Sequence, residues 1–158
     1  ITTKRLKRQL IKLINLDIFY LYPTPCCKAF DLPARILGEL DKRGVDVIIS
    51  QTTRSASSQA AAFAAGRSNA RAGRSPHNYY GVQAHGALAM DVVPRTYAKI
   101  FDWNPTGNLW GVVGECARAA GLVWGGDFNA QPSRGLGAGW DKPHVEMPGW
   151  KRIAGLVP

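Results

Sequence analysis

Cysteine is scarce in this chain: Cys26, Cys27 and Cys116 are its full complement, and no two are spaced as C-x-x-C. An odd count without that spacing excludes a disulfide framework and a cysteine zinc site, so each reads as a small buried hydrophobe in a protein made in a reducing compartment. Histidine is equally rare, with His77, His85 and His144 alone available for imidazole chemistry. No apolar run approaches the length of a membrane-spanning helix, and no internal repeat or interdomain linker interrupts the 158 residues. Acids are also few. Eleven Asp and Glu stand against twenty Lys and Arg, a formal charge of +9, which favours polyanionic partners such as nucleic acid, anionic lipid or an acidic wall polymer. The basic residues are scattered rather than striped with aromatics, which argues against nucleic acid.

The stretch TKRLKRQLIKLINLDIFYLY opens with a basic cluster, but Lys12, Asn15 and Asp17 interrupt what would be the apolar region of a signal peptide. The expectation is therefore synthesis in the cytoplasm without a clear export signal. Leu6, Leu10, Leu13 and Ile14 share one side at helical spacing, so residues 1–30 read as a basic N-terminal helical segment packed on the domain. The sharper alternative is that residues 4–18 contact anionic membrane or lipopolysaccharide as an amphipathic helix.

Residues 31–158 read as one α+β domain, a small, mostly antiparallel sheet flanked by helices, expected to act as a monomer. Asp31 reads as the N-cap of a helix from Leu32 to Arg43 with Ile36, Leu37 and Leu40 inward, ended by Gly44. VDVIIS (45–50) is a strand, and a second helix runs near Ser58 to Ala65. Residues 67–86 lack any sustained period and mark a long functional loop. ALAMDVV (87–93) alternates, with Leu88, Met90 and Val92 on one face and Asp91 among alanines on the other. A helix from Leu109 to Ala120, an LVWGG strand, a glycine-rich loop, a KPHVEM strand (142–147) and a short closing helix complete the order.

A hydrolytic zinc centre needs three His or carboxylate ligands and an open position for water. His77, Asp91 and His144 stand in contexts that allow this, and Asp141, three residues before His144, is placed to take the water's proton. Spacing by itself also fits solvated surface residues. The motifs are more specific. SPHNYYGVQAHGALAMDVV resembles the S-x-H-x-x-G-x-A-x-D motif of the zinc peptidases that include D-Ala-D-Ala carboxypeptidases, vancomycin-resistance dipeptidases and phage L-alanyl-D-glutamate endolysins. WDKPHVE is similar to their second signature, QTTRSASSQ to the segment after their first strand, and WGGDF also looks family-like.

That resemblance implies the hedgehog/D-Ala-D-Ala peptidase-type fold, with Zn2+ held by His77, Asp91 and His144. It implies Asp141 as general base and Arg54 as the group that stabilises the oxyanion. Ser75, Gln59, Glu146 and Trp140 are then expected to bind substrate or orient these groups. The interval from His77 to Asp91 is twice that of the motif, implying an insertion around Tyr80 to His85. His85 therefore competes as first ligand, while Ser75, Asn78 and Tyr79 match the pattern around His77. Asp141 and His144 would point to opposite faces of a regular strand, so a bend at Lys142 and Pro143 is required.

The resemblance further implies hydrolysis of the stem peptide of bacterial peptidoglycan by an L-alanyl-D-glutamate endopeptidase of a phage or prophage, reaching the periplasmic wall after holin-type release. The alternatives are a D-Ala-D-Ala carboxypeptidase or dipeptidase and, from a different class, an inactive wall-binding module.

Overall fold

Leu32, Ile36 and Leu40 recur about one turn apart, and in the computed structural model, which describes residues 32–79, 87–97 and 100–157, they form the buried stripe of helix α1 (Leu32–Lys42). Gly44 ends that turn with φ +69°, a left-handed cap that glycine adopts without a Cβ clash. Strand β1 (Val47–Gln51) follows, then α2 (Ala56–Ala64). The second helix starts earlier than its apolar pattern announces because Ser55 caps it, accepting from the Ser58 N–H at 3.1 Å.

The region read as a loop holds a minimal hairpin, β2 (Arg74–Ser75) and β3 (Asn78–Tyr79), too short for periodicity to reveal. Then come β4 (Ala89–Pro94), α3 (Leu109–Ala119), β5 (Val123–Trp124), β6 (His144–Glu146) and α4 (Trp150–Ile153). LVWGG is strand only at β5; Gly125–Asp127 turns as a 3-10 helix. The N-terminal segment, Cys26, Cys27, Asp31 and His85 lie outside the described residues.

The main sheet has the order β1-β4-β6-β5 with every neighbouring pair antiparallel, the α+β architecture expected. Period-2 alternation gives it two unlike faces. Met90 and Val92 of β4, Val145 of β6 and Trp124 of β5 join Ile36 and Leu40 of α1 and Val113, Cys116 and Ala117 of α3 in the core. Asp91, His144 and Glu146 occupy the alternate positions and look away from it.

Helix α3 lies flush on the sheet at Gly114, where an added Cβ would collide with the Trp124 ring. The indole cannot readily yield, because Trp124 Nε1 donates to the Lys142 carbonyl at 2.7 Å. Gly114→Ala is therefore expected to destabilise: overpacking costs about 1–3 kcal/mol, set against a helix-propensity gain of about 1 kcal/mol. Urea denaturation checks this, and a midpoint at or above wild type would show that the indole moves freely.

Candidate active site

Two ligand candidates are set by the sheet itself. Asp91 and His144 are direct cross-strand partners of β4 and β6, and His144 Nδ1 lies 3.3 Å from Asp91 Oδ1. The Asp141–His144 segment makes the required bend as a turn closed by the His144 N–H to the Asp141 carbonyl at 3.0 Å. His77 arrives from the turn between β2 and β3, where Ser75 and Asn78 pair and Ser75 Oγ accepts from the His77 N–H at 3.2 Å. Its Nε2 reaches 3.3 Å from Asp91 Oδ1 and 3.2 Å from His144 Nδ1.

Hydrogen bonds fix which ring nitrogens face inward. His77 Nδ1 sits 2.7 Å from the Thr52 carbonyl, an acceptor that only an N–H can satisfy, so Nε2 is the nitrogen that faces the centre. His144 Nε2 donates to Glu146 Oε2 at 3.0 Å, which leaves Nδ1 facing Asp91 and His77. Each imidazole thus has an outer oxygen partner, as metal-ligating histidines usually do.

His77, Asp91 and His144 form a group able to hold a metal ion among the described residues. Their donor atoms make a nearly equilateral triangle with edges of 3.2, 3.3 and 3.3 Å. Ligands at about 2.0–2.1 Å on tetrahedral zinc stand about 3.3–3.4 Å apart, so the triangle fits three corners of such a centre and leaves the fourth open.

The electrostatics are those of a site rich in carboxylate charge. Burial works against protonation of His144, but the hydrogen bonds to Asp91 and Glu146 outweigh it and push its pKa up to about 9. Burial likewise opposes ionisation of Asp91, yet the bonds from His144 and His77 hold its carboxyl well below the usual range. Asp141 is raised, with burial the largest cause.

These groups line a cleft of about 440 Å³ together with Arg54, Phe128, Trp140 and Glu146. Asp91 faces imidazoles and aromatic walls there, not the alanine-lined surface that alternation implied, because β6 lays His144 and Glu146 directly beside it. Arg54 is half-buried, and its main chain is clamped to the His77 turn: its N–H donates to the His77 carbonyl at 2.8 Å and its carbonyl accepts from Asn78 Nδ2 at 2.7 Å.

Gln59, fully buried, has its side chain committed within the protein. Its Oε1 accepts from Arg54 Nη1 at 2.9 Å, and its amide donates to Ser68 Oγ at 2.8 Å and the Ala70 carbonyl at 2.6 Å. It therefore aims the guanidinium and is not available to substrate.

Three contributors have roles that motif reading does not disclose. The Thr52 carbonyl that sets the His77 tautomer follows a β-bulge, where the register shifts between Ile49 and Gln51. Gly125 packs against the turn carrying the proposed base, since a Cβ there would strike the Asp141 carbonyl oxygen. Phe128 stands 5.8 Å from the His144 ring and 5.7 Å from the Trp140 ring, walling the cleft between them.

The chain matches no protein-family model. Among solved structures it is similar to the L-Ala D-Glu endopeptidase ChiX of Serratia marcescens, with a TM-score of 0.52 and 25% identity over 74% of this chain and 77% of that one.

Proposed function

We propose that this chain is a metal-dependent peptidase of bacterial peptidoglycan, that its metal is zinc, and that it cuts the L-alanyl-D-glutamate bond of the stem peptide. The observation that carries the reading is the three-donor triangle of His77, Asp91 and His144 in a cleft that also presents Arg54 and Asp141. Similarity to a protein described as an L-Ala D-Glu endopeptidase supports the substrate class. A zinc ion held there would lower the pKa of its water towards ~7.

Asp141 takes the proton of the attacking water, and its burial suits it to pass that proton on to the leaving amine. Arg54 faces the same cleft and stabilises the charge that develops on the carbonyl oxygen, with its guanidinium aimed by Gln59. Glu146 holds the His144 ring in its ligating orientation.

A carboxypeptidase needs a cleft that closes on a terminal carboxylate. Similarity to a protein described as an L-Ala D-Glu endopeptidase favours the endopeptidase. An inactive wall-binding module would have no need of both Asp141 and Arg54. Synthesis in the cytoplasm followed by phage-type release to the wall completes the proposal.

Digestion of purified peptidoglycan, with new termini identified by mass spectrometry, tests it. Free L-Ala carboxyl and D-Glu amine ends are expected. Released D-Ala would instead mean a carboxypeptidase, and no new termini would remove the peptidase reading.

A further inference from the structure

Beyond Trp140 the character of the cleft changes. The second groove, about 730 Å³, shares Phe128 and Trp140 with the catalytic cleft, and its charged lining consists of Arg71, Arg74 and Lys151 without an acid. The catalytic end balances Asp91, Asp141 and Glu146 against Arg54, Arg67 and Arg134, so the second groove differs in being lined by cations alone.

None of the three cations makes an ion pair among the described residues. Two rest on aromatic faces instead. The Arg71 guanidinium lies 5.3 Å from the centre of the Phe63 ring and Lys151 Nζ lies 5.9 Å from that of Trp150, contacts that orient the cations without neutralising them. At the junction, Trp140 Nε1 is a buried donor with no partner among the described residues.

We propose that this groove is the subsite for the carboxylate-bearing portion of the substrate that departs with the new amine. The inference rests on the peptidase reading above. Asp141, which delivers the proton to the leaving nitrogen, is the chain neighbour of Trp140, so the leaving portion lies on the Trp140 side. In a stem peptide the D-glutamyl residue continues through its γ-carboxyl and keeps a free α-carboxylate beside the scissile nitrogen. That carboxylate meets Arg71, Arg74 and Lys151.

The test uses the metal-loaded protein and two synthetic L-Ala-γ-D-Glu peptides differing only in an α-carboxylate or an α-carboxamide on the glutamyl residue. Wild type is expected to show a KM about tenfold lower for the carboxylate peptide, a preference that shrinks as salt is raised. The triple variant Arg71→Gln, Arg74→Gln, Lys151→Gln should lose that preference with kcat held within about twofold, since the interaction is a binding one made equally in ground and transition states. Tryptophan fluorescence during titration with the released γ-D-glutamyl product gives a readout independent of turnover, with binding expected in wild type and weakened in the variant.

Thermal unfolding verifies that the variant is folded, and the three single substitutions serve if the triple is not. Equal KM for both peptides in wild type, or equal losses on both in the variants, overturns the subsite while leaving the peptidase intact. Cleavage of neither peptide by wild type, with no new termini from whole peptidoglycan, removes the peptidase reading and the subsite with it.

Discussion

Asp141→Asn is expected to lower kcat on a stem peptide by about a hundredfold to ten-thousandfold, the usual worth of a positioned general base, while the protein stays folded and loaded with metal. The substitution is isosteric, and the carboxylate it removes is held in a site that disfavours its charge, since burial raises its pKa. The thermal midpoint should therefore hold or rise as activity falls. The same burial predicts the acid limb of the wild-type profile. The base must be ionised to act, so kcat/KM should climb with pH through a value above the ordinary carboxylate range, and Asn should abolish that limb. A variant that kept kcat within tenfold of wild type with metal bound would remove Asp141 from the role. Glu146 would be a poor replacement, because Oε2 is engaged by His144 Nε2.

The parts of the site that follow from strand alternation could be read in the sequence. ALAMDVV puts Asp91, and KPHVEM puts His144 and Glu146, on the face away from the core, and pairing β4 with β6 brings Asp91 against His144. The bend before His144 was also implied, because a strand that continued to Asp141 would have turned the carboxylate away. Helices α1 and α3 were legible from their apolar stripes and terminal glycines.

What escaped the sequence depends on contacts between distant segments. His77 lies in a two-residue turn between two-residue strands, and nothing in the period of the chain marks them. Thr52 acts through its carbonyl, which every residue possesses, so its type carries no signal. The glycines of WGGDF are conspicuous, but their purpose emerges only when Gly125 is seen against the Asp141 backbone. Gln59 stands out through the resemblance of QTTRSASSQ to the family segment, yet that resemblance cannot say that both faces of its amide are already occupied. The cationic groove draws Arg71 and Arg74 from one loop and Lys151 from the last helix, residues that on a basic chain look like any other surface charge.

Metal binding should carry a pH signature that identifies His144 as the ligand that gives up a proton. In the metal-free protein its pKa stands at about 9, against an ordinary 6.5, so at neutral pH the ring is an imidazolium donating to Asp91 and Glu146. A cation can use Nδ1 only after that proton leaves. Zinc titrated at pH 7.5 is thus expected to release about one proton per ion, and its apparent affinity should rise about tenfold per pH unit until it flattens near the pKa of His144. Calorimetry in buffers of different ionisation enthalpy measures this directly. Stability of the metal-free chain should follow the opposite course. The raised pKa of His144 contributes stability that is complete below 6.5 and fades as pH rises through about 9. The lowered pKa of Asp91 contributes above the normal carboxylate range and is lost on acidification. Zinc should therefore stabilise most on the alkaline side, where the imidazolium pair has dissolved and no proton competes. His144→Ala removes a corner of the triangle, the titrating group and the partner of Glu146 together. The expected result is loss of stoichiometric zinc, loss of proton release and fall of hydrolysis to background. Retention of one tightly bound zinc by that variant would mean that the metal sits elsewhere.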